Sequence, residues 1–218
     1  MKCTECNRTV KPVVAIDIDG TLGDFHGHFE KFLNQYLAVP QTLTRYKGSI
    51  SYKEWAQIQY GISEKTWHDI KLAYRQGGLK RSMPMYYYAS ALTRLVIEHA
   101  ELWITTTRPY LRLDNVDPDT RFWLSYNAIR YDGLVYDEDK YQRLREIVGP
   151  DRVVAVLDDL VEECIAANRV FGPGTAILRI NEYNTLSGIH HIKPRVESLP
   201  DIGRIIMNRI EHWNKNHE

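Results

Sequence analysis

The stretch Val13-Val14-Ala15-Ile16-Asp17-Ile18-Asp19-Gly20-Thr21 decides the fold class of this 218-residue chain. Its short apolar run predicts a buried strand, and the Asp-Ile-Asp-Gly that ends the run predicts a turn directly after that strand. Asp17 and Asp19 stand two residues apart, so in an extended backbone their side chains face the same side. Side-by-side carboxylates repel each other, and a divalent cation relieves that repulsion.

The rest of the chain predicts an α/β fold of the doubly wound type, with a Rossmann-like parallel sheet and helices on both faces. From Tyr87 onward, strand patterns alternate with helix patterns, which is typical of a parallel sheet. Between the first strand and Tyr87 the patterns predict helices only. We therefore expect a tail at 1–12, a core formed by 13–24 and 85–218, and a small helical cap at 25–84.

Composition predicts a soluble, intracellular protein. Lys+Arg and Asp+Glu both number 28, so no net charge attracts nucleic acid or an anionic membrane to the whole molecule. No apolar run approaches the roughly 20 residues of a membrane span, and 1–12 lacks the apolar centre of a signal peptide. Three cysteines do not suggest a disulfide framework. We expect a cytoplasmic location and leave the oligomeric state open.

Polar clusters follow the predicted strands at the points where the strands end. They are Asp17 to Thr21, Thr105-Thr106-Thr107-Arg108, Asp158-Asp159 and, at the start of a later helix, Lys140. In a doubly wound sheet the carboxyl ends of the strands meet at one edge, where ligands bind. We therefore expect these clusters to form one site.

The residue types at this edge match phosphoryl transfer. Asp17, Asp158 and Asp159 offer hard oxygen ligands, which suit Mg²⁺ better than zinc. Gly20 permits a tight turn that directs main-chain N–H groups at a phosphate. The hydroxyl and amide groups of Thr106 and Thr107 and the compact charge of Lys140 add further phosphate contacts.

At these residues the chain resembles the haloacid dehalogenase (HAD) superfamily. Asp17-Ile18-Asp19-Gly20-Thr21 matches its first motif, Asp-x-Asp-x-Thr after an apolar strand. Thr106, Lys140 and Asp158-Asp159 match the three later motifs in the family's order, although Arg143 and Arg145 lie close to Lys140. The resemblance covers residues 13 to about 180.

The resemblance implies a phosphatase mechanism. Asp17 would attack phosphorus and become an aspartyl-phosphate, and Asp19 would protonate the leaving oxygen and then activate water. Magnesium would be held by Asp17, the main-chain carbonyl of Asp19 and Asp158, with Asp159 alongside. An Asp two residues after the nucleophile resembles the phosphatase branch of the superfamily rather than the dehalogenase branch.

Two groups of HAD phosphatases suggest different substrates. Asp24-Phe25 resembles 5′(3′)-deoxyribonucleotidases, in which such an aromatic ring stacks on the base. Thr106-Thr107-Arg108 is closer to the phosphatase half of polynucleotide kinase-phosphatases, which acts on 3′-phosphates of nucleic-acid ends, with Arg108 contacting substrate. We favour nucleoside monophosphates, because a cap of this size can close over a small substrate. Trp55, Tyr60 and Trp67 are further candidate base platforms.

Other interpretations of the fold and of these residues remain open. The same fold without catalysis would be a binding module, and Thr105 to Thr107 could be ordinary strand residues. Asp158-Asp159 could cap the following helix. Cys3 and Cys6 have the spacing of half a zinc site, and His190-His191 is interpreted as a surface loop.

Overall fold

The computed structural model describes residues 10–39, 46, 51–109, 111–184 and 192–217. Cys3, Cys6, His190 and His191 lie outside these ranges, as does most of the loop predicted around 40–49. In the described part of the chain, no helix has both the length and the apolar composition that crossing a membrane requires.

Within the described residues, six parallel strands form one sheet in the order β3-β2-β1-β4-β5-β6. The chain builds outward from β1 to one edge and then restarts at β4 on the other side of β1, so the strand order reverses between β1 and β4. The strands are β1 Val13–Ile16, β2 Glu101–Thr106, β3 Gly133–Tyr136, β4 Val153–Asp158, β5 Ala176–Arg179 and β6 Arg195–Val196. The predicted fold class is confirmed.

Helices cover both faces of this sheet because β1 is apolar on both sides. Val14 and Ile16 pack into one core cluster together with α4 and α8, whereas Val13 and Ala15 pack into a second cluster with α6 and α7. The helices are α1 Phe25–Tyr36, α2 Tyr52–Tyr60, α3 Glu64–Gln76, α4 Ala89–His99, α5 Val116–Tyr126, α6 Lys140–Val148, α7 Val161–Phe171 and α8 Leu199–His217.

Two predicted element boundaries are wrong for local reasons. The apolar pattern from Ile129 to Tyr136 predicts a strand, but β3 begins only at Gly133, because the Asp132 carboxylate accepts the Leu102 N–H at 2.8 Å and Ile129 continues the turn after α5. Asp117-Pro118 predicts a helix capped by Asp117. Asp117 lies inside α5, which starts one residue earlier after Asn115.

Helices α1, α2 and α3 begin at sequence-encoded caps. Asp24 accepts the Gly27 N–H, Ser51 forms a capping box with Glu54, and Ser63 accepts the Thr66 N–H, as predicted for Ser63. The three helices bury an apolar cluster of their own. Its buried members are Phe29, Leu33, Ala56, Trp67, Ile70 and Tyr74. The division of the chain into a core and a cap remains a prediction that this cluster supports.

The segment that carries these helices leaves and rejoins the core at one place. The Asp24 N–H donates to the Pro84 carbonyl at 2.8 Å, and the Tyr86 N–H donates to the Leu22 carbonyl at 2.9 Å. The indole N–H of buried Trp123, in α5, donates to the Met83 carbonyl at 2.6 Å. These bonds fix where the inserted helices stand relative to the end of β1.

The turn after β1 requires a glycine. Gly20 has φ +91°, and a Cβ placed there would lie 2.3 Å from Asp159 Oδ2 and 2.4 Å from the Tyr183 hydroxyl. The position therefore combines a backbone conformation that side chains rarely adopt with a close approach to buried polar groups.

We expect Gly20→Ala to lower the free energy of unfolding by about 2–4 kcal/mol, because strain and steric overlap add. Gly61→Ala is the matched control. Gly61 also has a positive φ, +62°, but nothing lies within 4 Å of an added Cβ, so we expect a loss of about 1 kcal/mol. Urea denaturation of both variants measures the difference, and equal losses would contradict the predicted close approach.

Candidate active site

The reversal of strand order places two carboxylates side by side. Ile16, the last residue of β1, pairs with Leu157 of β4, and the Asp17 N–H donates to the Leu157 carbonyl at 3.0 Å. Asp17 therefore follows β1 at the level where Asp158 ends β4. This is the sheet edge at which the sequence predicts the site.

Asp159 completes a buried acidic cluster. Asp17, Asp158 and Asp159 each offer an oxygen within 4.8 Å of the others, and at most 6% of any of these residues is exposed. Asp159 is oriented by two hydroxyl donors, Thr21 at 2.9 Å and Tyr183 at 2.5 Å. The cluster is held in place before any ligand binds.

Lys140 lies within this cluster. Its Nζ is 2.8 Å from Asp17 Oδ1 and 2.7 Å from Asp158 Oδ2. The Tyr141 hydroxyl donates to the same Asp158 oxygen at 2.5 Å. Arg143 and Arg145, the nearby alternatives to Lys140, are exposed. The start of α6 therefore supplies one buried cation to three buried carboxylates.

The cluster carries more negative charge than its protein neighbours neutralise. With all three carboxylates ionised, one ammonium group would leave an excess of two negative charges, and Glu163, 3.9 Å from Lys140 Nζ, adds a further carboxylate nearby. Burial raises the pKa of Asp17 well above its ordinary value, with Asp158 and Asp159 adding to the rise and Lys140 opposing it. Burial and then the Asp158 charge raise the pKa of Asp159 to about 7.

This donor set fits a hard divalent cation. It offers oxygen atoms only, the excess charge equals that of Mg²⁺, and the buried carboxylates repel each other until a cation or protons bind. Asp17, Asp158 and Asp159 are the side chains that would hold the ion. The expected contribution of the Asp19 main-chain carbonyl stays a prediction.

The Asp19 carboxylate has partners that the sequence analysis did not expect. Arg108 contacts both of its oxygens, with Nε 2.9 Å from Oδ2 and Nη2 2.6 Å from Oδ1, and Lys80 Nζ lies 2.7 Å from Oδ2. Thr120 accepts a third bond from Arg108 at 2.9 Å. Although burial opposes it, the charges of Arg108 and then Lys80 hold the pKa of Asp19 far below its usual range.

The predicted phosphate donors differ in their surroundings. Thr106 is buried, and its hydroxyl accepts the Arg108 N–H at 3.3 Å, whereas Thr107 is exposed. The Gly20 N–H donates to the Gly23 carbonyl at 2.8 Å and so closes the expected tight turn. Phosphate binding by main-chain N–H groups of this turn stays a prediction.

Phe25 lies in the site but already has neighbours on its ring. It stacks on Phe29 with ring centroids 5.5 Å apart, and Lys80 Nζ lies 4.0 Å from its centroid. Trp67 was a candidate base platform, but only 4% of it is exposed and it belongs to the apolar cluster of the inserted helices. Base stacking on Phe25 remains a prediction.

Four site residues were missed by sequence reasoning. Arg179 is the last residue of β5. It donates hydrogen bonds to the main-chain carbonyls of Gly20 and Thr21 and so stabilises the turn after β1. Its place at the carboxyl end of a strand was a usable signal. Tyr183 follows the same strand, but Lys80 and Tyr141 had no such signal. The missed residues are Lys80, Tyr141, Arg179 and Tyr183.

We expect the metal-free protein to lose stability as the pH rises. Because the folded-state pKa of Asp159 is about 7, above its ordinary 3.8, the stabilisation is complete at low pH and is lost as the pH rises through about 7. Asp17 shifts in the same direction. In EDTA, Tm should fall by roughly 5 °C or more between about pH 5 and pH 8.

Scanning calorimetry with and without Mg²⁺ measures this dependence. Mg²⁺ should flatten the profile, and Asp159→Asn should flatten it without Mg²⁺. A metal-free profile that is already flat would contradict the excess charge assigned to the cluster.

Comparison with known proteins identifies the fold. The chain matches no protein-family profile and no curated protein. Among solved structures, a predicted phosphatase from Clostridium acetobutylicum aligns with TM-score 0.64 and 16% identity, over 92% of this chain and 100% of that one. The HAD-hydrolase YfnB from Bacillus subtilis, bound to magnesium, aligns with TM-score 0.61 and 12% identity, over 91% and 100%.

CbbY from Rhodobacter sphaeroides, in complex with xylulose-(1,5)bisphosphate, aligns with TM-score 0.60 and 15% identity, over 89% of this chain and 97% of that one. These alignments cover about nine tenths of this chain, and the identities are too low to carry activity or substrate from one protein to another. The chain has the fold of HAD-superfamily hydrolases.

Proposed function

We propose that this protein is a phosphomonoester hydrolase that uses Asp17 as its nucleophile. The observation that carries the proposal is the buried group of Asp17, Asp158, Asp159 and Lys140 at the reversal point of the sheet. A carboxylate nucleophile beside a fixed cation and a metal-binding cluster suits transfer of a phosphoryl group.

In the first step, an Asp17 carboxylate oxygen forms a bond to phosphorus and the bond from phosphorus to the ester oxygen breaks. Asp19 gives its proton to that departing oxygen, so the alcohol leaves neutral. Lys140, 2.8 Å from Asp17 Oδ1, orients the nucleophile and adds positive charge near the transferring group. The product is an aspartyl-phosphate on Asp17.

In the second step, water attacks the phosphorus of the aspartyl-phosphate. Asp19, now a carboxylate, takes the proton from that water, and the bond between Asp17 and phosphorus breaks. Inorganic phosphate leaves and both carboxylates return to their starting state. Bound Mg²⁺ would supply charge stabilisation for the phosphoryl oxygens and neutralise the acidic cluster.

The ion pairs of Asp19 constrain its role. Held ionised by Arg108 and Lys80, its carboxylate can accept a proton but has none to donate. To act as the acid, Asp19 must first lose at least part of this pairing and take up a proton from solvent. A substrate phosphate is the natural competitor for Arg108 and Lys80, because both cations bind phosphate oxygens well.

We propose a small phosphorylated substrate, with nucleoside monophosphates as the first class to test. Residues 25–84 would act as a cap over the site, since Lys80 of this segment reaches Asp19. CbbY, which shares the fold, was crystallised with a sugar bisphosphate, and its example supports a small phosphate ester. A flat substrate ring would stack on Phe25 only after Lys80, 4.0 Å from the ring centroid, leaves that face.

We expect Asp17→Asn to lower phosphate release by about 1000-fold or more, since the amide is a poor nucleophile. The measurement is inorganic phosphate released with Mg²⁺ from nucleoside monophosphates, sugar phosphates, a 3′-phosphorylated oligonucleotide and p-nitrophenyl phosphate. Asp69→Asn is the matched control, because Asp69 lies on the exposed side of α3 with Lys65, and it should retain full activity. Release that persists in Asp17→Asn would contradict the proposed nucleophile.

We expect Asp19→Asn to separate substrates by their leaving groups. Alkyl phosphates need a proton on the departing oxygen, so their hydrolysis should fall by about 100-fold or more, whereas p-nitrophenyl phosphate should lose about tenfold or less in its first step. Single-turnover kinetics measures that step alone, and circular dichroism checks folding. Equal losses for both esters would show that Asp19 positions Arg108 and Lys80 but donates no proton.

A further inference from the structure

A basic cleft lies beside the proposed site, on the side of the inserted helices. Its volume is about 560 Å³. Within the described residues, its lining contains four cationic side chains and no carboxylate. The cations are Lys53, Lys71, Arg75 and Arg112. Because the formal net charge of the whole chain is zero, these cations make the cleft a local positive surface that the overall charge does not reveal.

Two of the four cations already have partners. Lys53 Nζ lies 2.5 Å from Glu64, and Arg112 lies 3.1 Å from Glu138. Lys71 and Arg75 differ, because in the described ranges neither side chain has a carboxylate within 4.0 Å. They lie one turn apart on α3 and are half-buried. The cleft therefore presents two adjacent positive charges that no carboxylate contacts directly.

Holding these two charges together has an energetic cost. Burial, followed by the neighbouring charge of Arg75, lowers the pKa of Lys71 to about 8. Burial also lowers the pKa of Arg75; the Asp19 charge opposes this shift, whereas Arg108 and Arg112 add to it. Half-buried cations that repel each other are stabilised when an anion binds between them.

The cleft adjoins residues that contact Asp19. Arg75 lines it and also lines a small cavity with Lys80 and Arg108, the two partners of Asp19. Phe25, which contacts Lys80, also lines the cleft. Phe25 and Lys80 thus connect the cleft to Asp19 through side-chain contacts.

We propose that Lys71 and Arg75 bind a second phosphate group of the substrate, which is a small bisphosphorylated molecule. This inference rests on the proposed function and extends it by naming the substrate class. The phosphate to be cleaved takes the place beside Asp17, and the second phosphate binds in the basic cleft. The cleft has the volume of a small-molecule site and is bounded by the inserted helices. Both features favour a free phosphate ester over a polynucleotide as the substrate.

Paired substrates test the proposal. A nucleoside 3′,5′-bisphosphate and a sugar bisphosphate are each compared with the corresponding monophosphate, with Mg²⁺ present. We expect kcat/KM to be higher for the bisphosphate than for the monophosphate by about tenfold or more. This is the gain expected from one charge-assisted contact with the second phosphate. Lys71→Gln and Arg75→Gln should each reduce this ratio toward one. Lys65→Gln, on the exposed side of the same helix, should leave it unchanged.

A binding measurement separates failure of this inference from failure of the proposed function. Asp17→Asn protein is titrated calorimetrically with the same bisphosphates and monophosphates. Lys71→Gln in this background should weaken bisphosphate binding about tenfold and monophosphate binding about twofold or less. This result supports the second-phosphate site even if the wild type releases no phosphate.

Three outcomes would overturn the inference. One is a wild-type ratio near one together with equal affinity for both ligand types. Another is an unchanged ratio and affinity in both Lys71→Gln and Arg75→Gln. The third is a 3′-phosphorylated oligonucleotide that is turned over faster than every bisphosphate, which would assign the cleft to a nucleic-acid backbone. Hydrolysis of p-nitrophenyl phosphate that depends on Asp17 would leave the proposed function intact in all three cases.

Discussion

The structure depends on a buried cluster of carboxylates whose negative charge is only partly neutralised. Asp17, Asp158 and Asp159 come together because β1 and β4 are neighbours whose ends lie at the same level. Lys140 neutralises only part of their charge, and Thr21 and Tyr183 hold Asp159 by hydrogen bonds. The cluster therefore has a cost in stability, and its set of oxygen atoms fits a cation that would offset that cost.

Asp19 connects this charged centre to the inserted helices. Its carboxylate is shared between Arg108, which follows β2, and Lys80, which belongs to the inserted segment. The carboxylate's freedom to exchange protons therefore depends on what else occupies these two cations. A ligand phosphate that binds them would at the same time release Asp19, so substrate binding and readiness for proton transfer are linked in one set of ion pairs.

The sequence predicts where a residue lies when a single rule of sheet topology determines its position. Carboxyl ends of parallel strands meet at one edge, and this rule alone brings Asp17, Thr106 and Asp158 together. Lys80 could not be found in this way, because its contact with Asp19 depends on how the inserted helices fold back on the core. The same applies to the basic cleft, since a balanced count of charges contains no information on where the charges lie.

The inserted helices join the core through two main-chain hydrogen bonds, Asp24 to Pro84 and Tyr86 to Leu22. Entry and exit thus occupy neighbouring positions, so the length and composition of the intervening segment place no demand on the register of the sheet. Evolution can therefore change those parts of the segment that do not contact Asp19 while Asp17 and Lys140 stay where they are. Positions around Lys80 are the exception, because they reach the Asp19 carboxylate.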